Sequence, residues 1–124
     1  MSSKIRVLVA EDNEDLREAV MLLLNESADI FCVAATGSLE QIVPLGLQTS
    51  PDVVVLDLEL QGRSSLPSLP VLRAQLAQAR FVIYSGHAHP ELMRAAIAAG
   101  AVAYVTKSGD FDALIGAIRS AHPA

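Results

Sequence analysis

Short apolar runs alternate along the chain with stretches whose apolar residues recur at helical spacing, five times over. Ile5 to Val9 (IRVLV) is short and rich in branched residues, which suits a strand. Glu14 to Asn25 follows, with Leu16, Ala19, Val20 and Leu23 on one helical face. Ile30 to Ala34 is the second strand signal. A helix signal begins at Ser38, where Gln41 three residues on suggests a capping box, and Pro44 should kink or shorten that helix. Val53 to Leu56 is the third strand. The polar piece QGRSSLPSLP reads as loop, with a helix from about Pro70 carrying Leu72 and Leu76. Phe81 to Tyr84 (FVIY) is the fourth strand. Pro90 suits a first helical turn ahead of Leu92, Met93, Ala96 and Ile97, and Gly100 suits the position just past that helix. Val102 to Val105 makes a fifth strand, and Asp110 is placed to cap a last helix carrying Leu114, Ile115 and Ile118.

Such alternation implies βαβ units with right-handed crossovers, hence a doubly wound α/β fold whose parallel sheet is covered on both faces. The 124 residues suit one domain, 1–124, with no linker or low-complexity tract. With 52% hydrophobic and 19% charged residues the chain is globular and not disordered. A net charge of −5 argues against nonspecific nucleic-acid binding and suits cations or basic partners. The single cysteine, Cys32, allows no internal disulfide, reads as core, and suits a reducing compartment, here the cytoplasm. MSSKIRVLVA is charged too early for a signal peptide, and no run approaches the ~18 apolar residues of a membrane span.

In open parallel sheets, sites lie outside the carboxyl ends of the strands. The residues expected there are Glu11 and Asp12 after strand one, Asp57 after strand three, Ser85 and Gly86 after strand four, and Lys107 after strand five. Thr36 and Gly37 after strand two suggest only a turn. Each residue alone has a plainer reading: Asp57 or the Glu11–Asp12 pair as helix caps, Ser85 in a turn, Lys107 solvated. Four strand ends supplying compatible chemistry point further. The carboxylates would repel one another, and a hard divalent cation such as Mg2+, which takes oxygen ligands, resolves the conflict. Lys107 suits a phosphate oxygen. Together these suggest phosphoryl transfer to a carboxylate, with Asp57 as nucleophile.

The pattern resembles a response-regulator receiver domain of two-component signalling over essentially the whole chain. It has the acidic pair Glu11/Asp12, the acceptor Asp57, Ser85, the strand-five aromatic Tyr104 and Lys107. GAVAYVTKSGDFDALIGAIR is also similar to receivers that precede a LuxR-type helix-turn-helix. The resemblance implies a flavodoxin-like (βα)5 sandwich with strand order 2-1-3-4-5. It implies that Asp57 accepts phosphoryl from a histidine kinase or phosphotransfer protein. Asp12, Asp57 and the Glu59 carbonyl would ligate Mg2+, with Glu11 acting mostly through water. Lys107 would hold a phosphate oxygen, and Ser85 and Tyr104 would form the switch. It further implies an output surface on the fourth helix, fifth strand and fifth helix, a possible homodimer there, and transcription regulation. No enzyme activity is expected beyond the domain's own phosphoryl transfer and hydrolysis, whose rate Glu59 and His87 would tune.

The chain departs from the family's pattern in places. Leu60 and Gln61 stand where Met-Pro is usual, Ser108 replaces the proline after the lysine, where the peptide bond is often cis, and Pro67 and Pro70 should make the third helix start late or irregularly. These departures leave open a receiver-like interaction module that is never phosphorylated. VVVLDLEL also resembles the first motif of haloacid-dehalogenase-like phosphatases, with Asp57 as nucleophile and Glu59 as general acid, but that would leave Glu11 and Asp12 without a role. A flavodoxin-like FMN site is excluded by the acidic cluster EDNED, which would repel phosphate. His87 and His89 suggest a transition metal only weakly, because no further ligand sits nearby in sequence.

Overall fold

A computed structural model describes residues 3–108 and 111–122. The elements are β1 (Ile5–Ala10), α1 (Glu14–Glu26), β2 (Ile30–Thr36), α2 (Ile42–Thr49), β3 (Val53–Leu56), α3 (Leu69–Gln75), β4 (Arg80–Ser85), α4 (Pro90–Ala98), β5 (Ala103–Thr106) and α5 (Asp112–Ala121). The five strands pair in parallel in the order β2-β1-β3-β4-β5. This is the doubly wound sheet that the alternation predicts.

The central strands are buried on both faces, which is why they read as unbroken apolar runs rather than alternating ones. Val53, Val55, Val7, Val9 and Val82 face α1 and α5 residues such as Val20, Leu24, Leu114 and Ile118. Leu8, Val54, Leu56, Phe81 and Ile83 pack on the other side with Ile42, Leu69, Leu72 and Ala96. Cys32 belongs to the first layer, where burial pushes its thiol up to about 11. None of the described helices is long and apolar enough to cross a membrane.

Several local expectations change. α1 turns Val20 and Leu24 into the core and leaves Ala19 exposed, because an i, i+4 pair sits more squarely on one face. Its cap is Asn13, whose Oδ1 accepts the Leu16 N–H at 3.0 Å, so Glu11 and Asp12 are not the caps. Ser38 makes no side-chain cap, so the capping box does not form; a 3-10 turn, Leu39–Gln41, leads into an α2 of 8 residues, with Pro44 in its first turn. On α4, Ala96 is buried while Ile97 is 48% exposed. The fifth strand starts one residue later than expected, at Ala103. Asp110, the expected cap of α5, lies outside the described residues.

The segment expected to be loop contains a two-stranded antiparallel ribbon, with Glu59 opposite Ser64 and Leu60 opposite Arg63. Gln61 (φ 53°) and Gly62 (φ 76°) form its two-residue turn, the positive-φ geometry that matches strand twist. A 3-10 turn, Leu66–Ser68, then precedes the 7-residue α3, the irregular start that Pro67 and Pro70 predict. Among the described residues every peptide bond is trans, Lys107–Ser108 included.

Gly100 follows α4 with φ 113°, and a Cβ there would stand 2.3 Å from Arg73 Cδ. Gly116 lies inside α5, and a Cβ there would meet nothing within 4 Å. Gly100→Ala should therefore destabilise the fold by about 1–3 kcal/mol, whereas Gly116→Ala should stabilise it by roughly 0.4–1 kcal/mol. Urea unfolding of the two variants checks both signs.

Candidate functional site

The carboxyl ends of β1, β3 and β5 converge. Hydrogen bonds between strands set the positions: Asp57 N–H donates to the Ala10 carbonyl at 3.1 Å, Glu11 N–H to Thr36 at 2.9 Å, and Lys107 N–H to Ser85 at 2.8 Å. The peptides bearing Glu11, Asp57 and Lys107 are thus fixed by the sheet itself. One carboxylate oxygen each from Glu11, Asp12 and Asp57 lies within 4.8 Å of the others. Glu11 and Asp57 are buried, and Asp12 is exposed at the rim.

Lys107 is the counter-ion. Its Nζ stands 2.8 Å from Asp57 Oδ2 and 2.6 Å from Glu11 Oε1. The contact with Asp57 is a hydrogen bond. The one with Glu11 is a close ion pair, so the buried Oε1 has the ammonium as its partner. Lys107 also lies over the Tyr84 ring, 5.7 Å from its centroid. Burial pulls the Lys107 ammonium down, but its bonds to Asp57 and Glu11 more than reverse this and leave its pKa above 10.5. Burial raises Glu11 above 4.5; the Lys107 ammonium and the Asn13 N–H pull it down without cancelling the rise, and the Asp57 charge adds to it.

Backbone donors aim the other oxygens. Glu59 N–H donates to Asp57 Oδ1 at 3.1 Å, Asn13 N–H to Glu11 Oε2 at 3.0 Å, and Gln61 N–H to Asp12 Oδ2 at 2.7 Å. The Glu59 carboxylate stays outside the cluster, 3.9 Å from His87 Nε2. The His87 and His89 rings stack at 6.4 Å, and neither joins the acidic group. Ser85 is fully buried at the end of β4 rather than after it, and its Oγ accepts the His87 N–H at 3.2 Å. The half-buried Tyr104 donates its hydroxyl to the His87 carbonyl at 2.7 Å. Both expected switch residues therefore meet at the β4–α4 loop, and no hydrogen bond joins either to the carboxylates among the described residues.

Sequence reasoning missed three contributors. Arg17 donates to the Glu11 carbonyl at 2.9 Å, and Gly37 leaves room for it: a Cβ at Gly37 would stand 2.9 Å from that guanidinium. The fully buried Ser65 donates its Oγ to the Asp57 carbonyl at 2.6 Å. Gln61 contributes only its N–H. None carries a sequence signal: Arg17 lies within α1, Gln61 in the ribbon's turn and Ser65 just past the ribbon.

Three carboxylate oxygens, two of them from the buried Glu11 and Asp57, fit a hard divalent cation, not a soft metal. A doubly wound sheet with this pocket at its carboxyl edge defines a class of α/β proteins with an acidic strand-end site. The family model for the response regulator receiver domain matches residues 7–119, and the chain belongs to that family. It is 33% identical over 119 residues to the nitrate/nitrite response regulator protein homolog of Haemophilus influenzae, covering 96% of this chain and 57% of that one. It is 30% identical to the nitrate/nitrite response regulator protein NarL of Escherichia coli, covering 93% and 53%. The chain thus spans about half the length of these relatives. A solved two-component response regulator of the LuxR family from Aurantimonas superposes with a TM-score of 0.87 at 30% identity, covering 95% of this chain and 84% of that one.

The raised Glu11 has a consequence for stability. Its folded form binds a proton more readily than its unfolded form, so its contribution is most favourable below pH 4.5 and is lost as pH rises through the folded value. Asp29 and Glu40, lowered by their partners Arg119 and Arg63, act in the opposite sense. The difference between proteins therefore isolates the effect. Without divalent cations, the wild type should lose stability relative to Glu11→Gln as pH climbs from 4.5 towards neutrality. Urea unfolding across that range checks it, and a constant difference would contradict it.

Proposed function

We propose that residues 1–124 act as one receiver unit of a cytoplasmic two-component system, switched by phosphorylation of Asp57. The observation that carries this reading is Asp57 itself: a buried carboxylate with one oxygen on Lys107 and the other on the Glu59 N–H. An Asp57 oxygen attacks the phosphorus of a phosphohistidine on a sensor kinase or phosphotransfer protein. The P–N bond breaks, the imidazole leaves with its electron pair, and an acyl phosphate forms.

Asp12, Asp57 and the Glu59 carbonyl would hold Mg2+, with Glu11 acting through water, and the cation would neutralise charge on the transferring group. Lys107 transfers its ammonium from Asp57 to a phosphate oxygen. Ser85 turns its hydroxyl toward the new phosphate, and Tyr104 gives up its bond to the His87 carbonyl and moves into the space left. Glu59 and His87, facing each other beside the acceptor, control the approach of the hydrolytic water. The change reaches the surface of α4, β5 and α5, where Ile97 and Val102 are already exposed and where a homodimer would form. The output is transcription regulation through a LuxR-type partner domain. The domain itself makes no direct contact with nucleic acid and turns over no separate substrate.

Intact mass after incubation with acetyl phosphate and Mg2+ tests the reading. One base-labile phosphoryl group is expected, absent in Asp57→Asn and absent when EDTA replaces Mg2+. A folded, Mg2+-binding protein that gains no phosphoryl group from acetyl phosphate or a phosphohistidine donor would instead be an interaction module. Steady hydrolysis of phosphate esters would mark a phosphatase.

A further inference from the structure

Asp12 sits exposed at the rim, where an aspartate ordinarily samples several rotamers. Here its Oδ2 accepts the Gln61 N–H at 2.7 Å, from a residue 49 positions away. The donor is well fixed. Leu60 beside it is fully buried, the Ser65 N–H bonds the Leu58 carbonyl at 2.7 Å, Ser65 Oγ bonds the Asp57 carbonyl, and Arg63 is ion-paired with Glu40. These anchors hold Gln61 at φ 53°, a conformation that disfavours a side chain and that glycine would adopt freely. The turn that needs this positive φ thereby sets the Gln61 N–H on the one exposed carboxylate of the acidic group.

We propose that the Gln61 N–H is a positioning group for cation binding. It holds the Asp12 carboxylate by Oδ2 and leaves Oδ1 for the cation, so that cation binding and closure of the 59–64 ribbon stabilise each other. The proposal rests on the reading of Asp12 as a cation ligand. Donors behind metal-ligating carboxylates typically contribute 10–100-fold in metal affinity. Coupling between the two events is reciprocal, so the cation tightens the bond by the same factor as the bond tightens the cation.

The test measures Mg2+ affinity by calorimetry and Gln61 amide exchange by NMR on the same protein. Saturating Mg2+ should slow Gln61 exchange by about tenfold. Gln61→Gly keeps both the N–H and the positive φ and should bind Mg2+ as tightly as wild type. Gln61→Pro deletes the N–H and should weaken Mg2+ about tenfold. Proline cannot adopt the native φ, so the wild-type exchange measurement decides if that variant misfolds. Mg2+ binding with unchanged Gln61 exchange would overturn this proposal alone. No Mg2+ binding at all would overturn it together with the functional reading.

Discussion

The site is organised around one ammonium placed between two buried carboxylates. Lys107 reaches both Glu11 and Asp57 from the end of β5, and Asp12 adds a third negative charge at the rim. One cation cannot neutralise three carboxylates. Glu11 feels this pocket chiefly through burial, which holds its carboxyl above its ordinary value although an ammonium stands beside it, and the Asp57 charge adds to the rise. A pocket built this way is most favourable when a further positive charge arrives, which is what an acceptor for an anionic phosphoryl group requires.

The sheet makes this arrangement possible. Parallel pairing puts the carboxyl ends of β1, β3 and β5 on one edge, and the ladder bonds of Glu11, Asp57 and Lys107 hold their backbones at fixed spacing. Both faces of the central strands are dry, so local shifts at the edge are not absorbed by a yielding core. The same edge brings Ser85 and Tyr104 to His87, one through its hydroxyl oxygen and the other through its phenol. Both contacts fall on the one short loop that leads into α4.

The strand runs, the five-fold alternation and the four main site residues were legible because parallel topology turns order along the chain into position along an edge. Asp57 could be singled out only in company: alone it reads as a cap, but in strand order it falls between Glu11/Asp12 and Ser85/Lys107. The ribbon was not legible. Its residues are few and, apart from Leu60, polar, and its turn puts Gln61 at a positive φ that its own preferences disfavour, held by tertiary anchors such as Leu60 and Ser65. The plainer reading of Glu11 and Asp12 as caps of α1 fails because the neighbouring Asn13 takes that position and frees both carboxylates for the strand end. Ala19, expected on the inner face of α1, is exposed, because an alanine on a face says little about which way that face turns.

The most direct measurement is the melting temperature of the wild type with and without Mg2+, beside Asp57→Asn. An acidic pocket short of positive charge predicts that Mg2+ stabilises the wild type, by about 1.4 kcal/mol when present at ten times its Kd, and stabilises Asp57→Asn less. Without Mg2+, Asp57→Asn should melt no lower than wild type, because the substitution relieves repulsion as it removes a partner of Lys107. A wild type whose melting temperature ignores Mg2+, in a protein that otherwise unfolds cooperatively, would contradict the account.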